Sequence, residues 1–205
     1  RFDFVAESIS KWSDPKARNE AWTFIATKLA SRGKFDLAWR AMDQVKPTNR
    51  MEEVGLMNPL ESIMTRQIEA GQIDAARKRA DSYRESLPAL TTDVYAEILK
   101  TMVKDGRVDE AIALIPEAMP EGKRQVLYDR LMWILAHSDK PEKAWELYQQ
   151  HGGETKQRNQ AGFIGVAFAA AGDYDQAMTA LEEVEGYSNQ ENNPVVQLCN
   201  AAAAA

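Results

Sequence analysis

The sequence predicts an all-α chain built from repeated helical hairpins. Three observations carry this. A Gly-x-apolar-acid-x-Ala segment recurs at near-constant intervals, apolar residues at helical spacing lie on both sides of each copy, and strand-like alternation is absent. The copies are Gly33-Lys34-Phe35-Asp36-Leu37-Ala38, Gly71-Gln72-Ile73-Asp74-Ala75-Ala76, Gly106-Arg107-Val108-Asp109-Glu110-Ala111, Asp139-Lys140-Pro141-Glu142-Lys143-Ala144 and Gly172-Asp173-Tyr174-Asp175-Gln176-Ala177. Their last alanines are separated by 38, 35, 33 and 33 residues, the range in which a repeat is one supersecondary unit.

Each position in the segment has a physical task. Glycine enters the left-handed region without a Cβ penalty and so ends the preceding helix, and Asp139 is a second choice for that conformation. The acids at 36, 74, 109, 142 and 175 place a carboxylate in the first turn of the next helix, beside unpaired N–H groups and the positive end of the dipole. Pro141 suits a first turn, where its missing N–H costs nothing. The alanines let two helices approach closely.

In chain order, residues 1–14 read as a half-repeat, because Phe2-Asp3-Phe4-Val5 copies the segment with Val in place of Ala. Full repeats follow at about 19–50, 57–90, 92–122, 125–153 and 158–187, and a further one begins near Pro194. Their first helices bury Trp22, Ile25, Ala26 and Leu29; then Leu60, Ile63, Met64 and Ile68; then Tyr95, Ile98, Leu99 and Met102. Tyr128, Leu131, Met132 and Leu135 continue the series, followed by Ala161, Ile164, Gly165 and Phe168. Pro47, Pro88 and Pro120 are expected to close second helices, as is Gly152-Gly153. The 38-residue step inserts positions 48–58, and this departure from the period is a candidate contact region.

Across about 34 residues, this order of large, small, aromatic, Gly, acid and Ala resembles the tetratricopeptide repeat, most closely at Gly172-Asp173-Tyr174-Asp175-Gln176-Ala177. The resemblance covers nearly the whole chain. It implies a right-handed α-solenoid of stacked antiparallel helix pairs, acting as a protein-interaction scaffold. The chain begins at Arg1 rather than Met and ends in five alanines, and neither end carries a polar capping repeat. A segment of a longer solenoid, or a subunit of an assembly, is therefore expected.

The resemblance also implies a concave groove lined by first helices. Mapped through the anchor spacing, the groove positions are Glu61, Thr65 and Glu69, then Lys100 and Lys104, then Asp129, Trp133 and His137. Trp133 reads either as a residue packed into the neighbouring repeat or as a partner's anchor. Met51, Met57 and Met64 read either as core or as an adaptable surface. Thr23 and Thr27 stand where some family members carry the Lys and Asn that clamp a terminal carboxylate, so that partner class is not supported.

Composition limits the alternatives. With 44% hydrophobic and 27% charged residues the chain has material for a core, and its net charge of −6 disfavours polyanions. The third repeat, 94–119, also resembles a pentatricopeptide repeat, which makes an RNA-binding module the alternative, but such modules need a basic groove. The run Arg77, Lys78, Arg79 and Arg84 falls on a second helix and reads as a solvated outer face.

No catalytic group, metal ligand set or cofactor loop stands out. His137 and His151 fall in different helices without metal-ligand partners at a recognised spacing, and His151 reads as a cation at a helix end. The one cysteine, Cys199, reads as structural. The longest apolar stretch, 162–171, is half the roughly 20 residues a membrane-spanning helix needs, and the amino end has no signal-peptide pattern.

Overall fold

The five copied segments are five equivalent corners. Gly33, Gly71, Gly106 and Gly172 have φ between 69° and 85°, and Asp139 has φ 55°. At each corner the residue after the left-handed one donates its N–H back to the helix it has just left. These bonds run from Lys34 to Leu29 O, Gln72 to Gln67 O, Arg107 to Met102 O, Lys140 to Leu135 O and Asp173 to Phe168 O, at 2.8–3.1 Å. This is the closing pattern of a helix whose last carbonyls find donors in the turn itself. The anchor alanines Ala38, Ala76, Ala111, Ala144 and Ala177 are all 0% exposed.

The computed structural model describes residues 2–152 and 158–183, and every regular element among them is helical. In order these are α1 (Phe2–Ser10), α2 (Pro15–Ala30), α3 (Phe35–Met42), α4 (Arg50–Gly55), α5 (Met57–Glu69) and α6 (Ile73–Ser82). Then come α7 (Pro88–Lys104), α8 (Val108–Ala118), a 3-10 turn (Glu121–Lys123), α9 (Gln125–Ala136), α10 (Pro141–His151), α11 (Arg158–Ala171) and α12 (Tyr174–Glu182). Gly153, positions 184–187, the repeat expected from Pro194, Cys199 and the terminal alanines lie outside the described residues.

The chain divides into two units, Arg1–Ile98 and Leu99–Ala205, with the boundary inside α7. In the first unit α2 pairs with α3 and α5 with α6, and α5 packs against both α2 and α3. Trp22, Ala26, Leu60, Ile63, Met64 and Ile68 are buried between them, while Ile25 and Leu29 remain partly exposed. A buried indole bonds the repeats together: Trp39 Nε1 donates to Gln67 Oε1 at 2.9 Å, and the Arg79 guanidinium lies 4.6 Å from the Trp39 ring centre. In the second unit α9 pairs with α10 and α11 with α12, and α9 packs on α11. Gly165 sits where α11 meets α12, since a Cβ there would stand 3.1 Å from Leu181 Cγ and 3.2 Å from the Ala177 carbonyl oxygen.

Several expected boundaries move. The first full repeat starts at Pro15 rather than about 19, because Asp14 caps α2 by accepting the Lys16 N–H at 2.9 Å and Pro15 fills the first position. Pro88 does not close a second helix; α6 ends at Ser82, and Pro88 is the first residue of α7, so the third repeat also begins before 92. The inserted positions contain helix α4. Asn49 Oδ1 accepts the Glu52 N–H at 3.0 Å, and Glu52 Oε2 accepts the Thr48 N–H at 2.8 Å, a reciprocal cap. Asn19 secures the segment before it, donating from Nδ2 to Lys46 O at 2.9 Å and accepting the Lys46 N–H at 3.0 Å.

Candidate functional site

Counting back from each anchor alanine places the expected groove residues in common registers. Thr65, Lys100 and Trp133 each stand eleven positions before an anchor (76−65, 111−100 and 144−133), and Thr27 and Val166 share that register. Glu69, Lys104 and His137 stand seven positions before. Side chains four apart share a helix face, so each first helix offers a short stripe.

In the first unit Glu61, Thr65 and Glu69 come together along α5 and line a shallow hollow with Asn58 and Arg66. Burial, and then the nearby charges of Asp93 and Glu97, push the Glu61 carboxyl above its ordinary value. In the second unit Lys100 and Lys104 are exposed on the last turns of α7.

The stripe on α9 divides into two kinds of residue. Asp129 is half-buried and already engaged: its Oδ1 accepts from Gln125 Nε2 at 2.7 Å and from Gln160 Nε2 of α11. It ties two first helices together. Trp133 instead is 50% exposed, which decides against full burial between repeats. Its ring stacks on His137 with centroids 4.2 Å apart, and His137 Nδ1 lies 2.8 Å from the Trp133 carbonyl oxygen. Phe163 on α11 approaches the same imidazole, with centroids 6.3 Å apart. Exposed Val166 belongs to the neighbouring helix α11. Register arithmetic alone points to Val166; no sequence pattern marks Gln160 as the partner of Asp129.

No family model matches this chain, and no curated protein matches it. Among solved structures it is similar to a thermophilic tetratricopeptide (TPR) protein of Thermus thermophilus, at 13% sequence identity and a TM-score of 0.38. That match covers 91% of this chain and 97% of the other.

Other expected features settle differently. The basic run is not a solvated second-helix face throughout: Arg77 Nε donates to Tyr95 OH at 3.2 Å, Arg79 pairs with Asp43 at 3.4 Å and covers Trp39, and Arg84, which lies past the end of α6 at Ser82 rather than on it, pairs with Asp81. Lys78 is exposed. The arginines are therefore engaged within the fold instead of forming a spare phosphate-binding stripe. His151 stacks on Tyr128 with centroids 4.0 Å apart, and burial holds its pKa below the ordinary value. His151 is the last residue of α10, the helix end expected for it, and burial there disfavours its charged form. Met64 is buried, Met57 partly exposed and Met51 84% exposed, so the three methionines divide between core and surface.

Among the described residues no group of three or more His, Cys, Asp and Glu side chains could hold a metal ion, and no helix is long and apolar enough to cross a membrane.

Proposed function

We propose that this chain is a tetratricopeptide-like interaction scaffold that holds a partner protein on the exposed face of its first helices. It binds and positions; it performs no reaction. The observation that carries this reading is the half-exposed Trp133, already stacked on His137 beside Phe163. An aromatic held in place loses little rotational freedom when covered. Covering about 100 Å² of it is worth roughly 2.5 kcal/mol, enough for a hot spot. On this reading Lys100 and Lys104 in the same unit contribute cations, while Glu61, Thr65 and Glu69 form a separate acidic stripe in the first unit.

The test is a cross-linking pull-down with the intact chain against Trp133→Ala, followed by affinity measurement on whatever partner is recovered. The variant should bind at least about tenfold more weakly, with an unchanged helical circular-dichroism spectrum. Equal affinity for the two chains would remove Trp133 as the anchor. RNA retained at low salt and released steeply as salt rises would favour the pentatricopeptide-like alternative instead.

A further inference from the structure

Asp129 stands one helical turn before Trp133 on the same face of α9, and its charge has no ion-pair partner among the described residues. Both of its donors are neutral amides, Gln125 Nε2 and Gln160 Nε2, and both reach the same oxygen, Oδ1. Oδ2 accepts nothing among the described residues. A second acceptor is left over beside it. Gln160 is 3% exposed, and its Oε1 is buried with no donor although Nε2 of the same amide is bonded to Asp129. Native folds leave few such groups, because a buried carbonyl that has given up water and found no donor is destabilising. Two unserved oxygens therefore sit on the two groups joined by one hydrogen bond.

A donor relieves this pair, and a positively charged donor balances the carboxylate as well; water does the first and not the second. Trp133 narrows the choice. One face of its indole is taken by His137, one turn towards the C-terminus, and helical side chains lean towards the N-terminus, so the other face is offered on the side of Asp129. A guanidinium is planar, with several N–H donors along its edge and a face that stacks on an indole, whereas an ammonium is a point charge without that face. Nothing nearby on the neighbouring helix competes for the carboxylate or repels a cation: positions 160–171 of α11 contain no charged residue. Arg130 lies about 100° round α9 from Asp129 and forms no pair with it.

We infer that Asp129 and Trp133 form a socket for an arginine side chain of the partner protein. The guanidinium edge donates to Asp129 Oδ2 and its face lies on the indole, with Gln160 Oε1, behind the carboxylate, as the acceptor for a donor that reaches past it. This rests on the reading that the Trp133 face holds a partner, and names what that partner brings to it.

The probes are N-acetylarginine amide, the same derivative of lysine and that of citrulline, which keeps the shape of arginine without its charge. Each is titrated into the intact chain at neutral pH and constant ionic strength, and the readout is the indole N–H resonance that Trp133→Ala lacks. Arginine is expected to shift this resonance saturably, and citrulline to bind at least about tenfold more weakly. Asp129→Asn keeps an oxygen for both amides and removes the charge, so it should bind arginine about tenfold more weakly with an unchanged helical circular-dichroism spectrum. No saturable shift with arginine, equal affinity for citrulline, tighter binding of lysine, or an Asp129→Asn chain that binds arginine as the parent does would overturn the inference. Each of those results leaves the effect of Trp133→Ala on partner capture untouched, so the socket and the proposed function fail separately.

Discussion

At the corners, backbone conformation can be separated from packing. Gly106 has φ +79°, and nothing lies within 4 Å of the point a Cβ would occupy, so Gly106→Ala changes the backbone preference and little else. Holding alanine in the left-handed region costs about 1–2 kcal/mol, and its stiffer unfolded chain offsets about 0.4–1 kcal/mol of that. A net loss of about 0.5–1 kcal/mol remains, close to a 2 °C drop in Tm for a chain of this size. Gly106→Asn should lose less, because a short polar side chain tolerates this region, as Asp139 does at the equivalent corner with φ 55°. Urea unfolding followed by far-UV circular dichroism measures both variants, read from the midpoint at constant slope. Alanine as stable as the parent, or asparagine as damaging as alanine, would refute the view that these glycines serve the turn conformation.

Three further outcomes follow from buried or perturbed groups. Gln67→Leu leaves the Trp39 indole N–H without its acceptor and should cost about 1–3 kcal/mol in urea unfolding, with Trp39→Phe in the same background recovering part of the loss. Glu61 has a folded pKa raised above 4.5, so its contribution is complete below that value and is lost as pH rises through the folded pKa. Glu61→Gln should then raise the unfolding midpoint at neutral pH and leave it unchanged in acid; a lower midpoint at neutral pH would contradict this. His151 has a folded pKa depressed below 6.5, so its contribution is present above that value and lost as pH falls through the folded pKa. His151→Gln should flatten the fall of the midpoint with acidification, and a curve parallel to the parent's would count against burial as the cause.

The helix pairs were legible because their signals are local. Glycine, acid and alanine within six residues specify the end of one helix, the start of the next and the point where the two touch. The boundary of α2 is also written locally, in Asp14-Pro15, but its apolar period begins only at Trp22, which places the expected start four residues late. Proline is ambiguous between closing one helix and opening another, and at Pro88 the second role holds. What a single period cannot convey is which side chains meet across repeats. Asp129 with Gln160, Trp39 with Gln67 and Arg79 with Asp43 lie about 30 residues apart, and their meeting depends on how far one helix slides along another. The groove residues divide the same way: exposure of Trp133 fits the helical register, whereas capture of Asp129 by a neighbouring helix does not follow from it.

The two bonds between Asn19 and residue 46 go to the latter's main chain, not to its side chain. Evolution is therefore free to redraw position 46 with almost any amino acid, proline excepted, without disturbing the path of the connection. Position 19 has no such latitude, since only a side-chain amide offers a donor and an acceptor in one plane at that reach. Drift along this lineage should thus be lopsided, with one end of the clamp wandering while the other stands still.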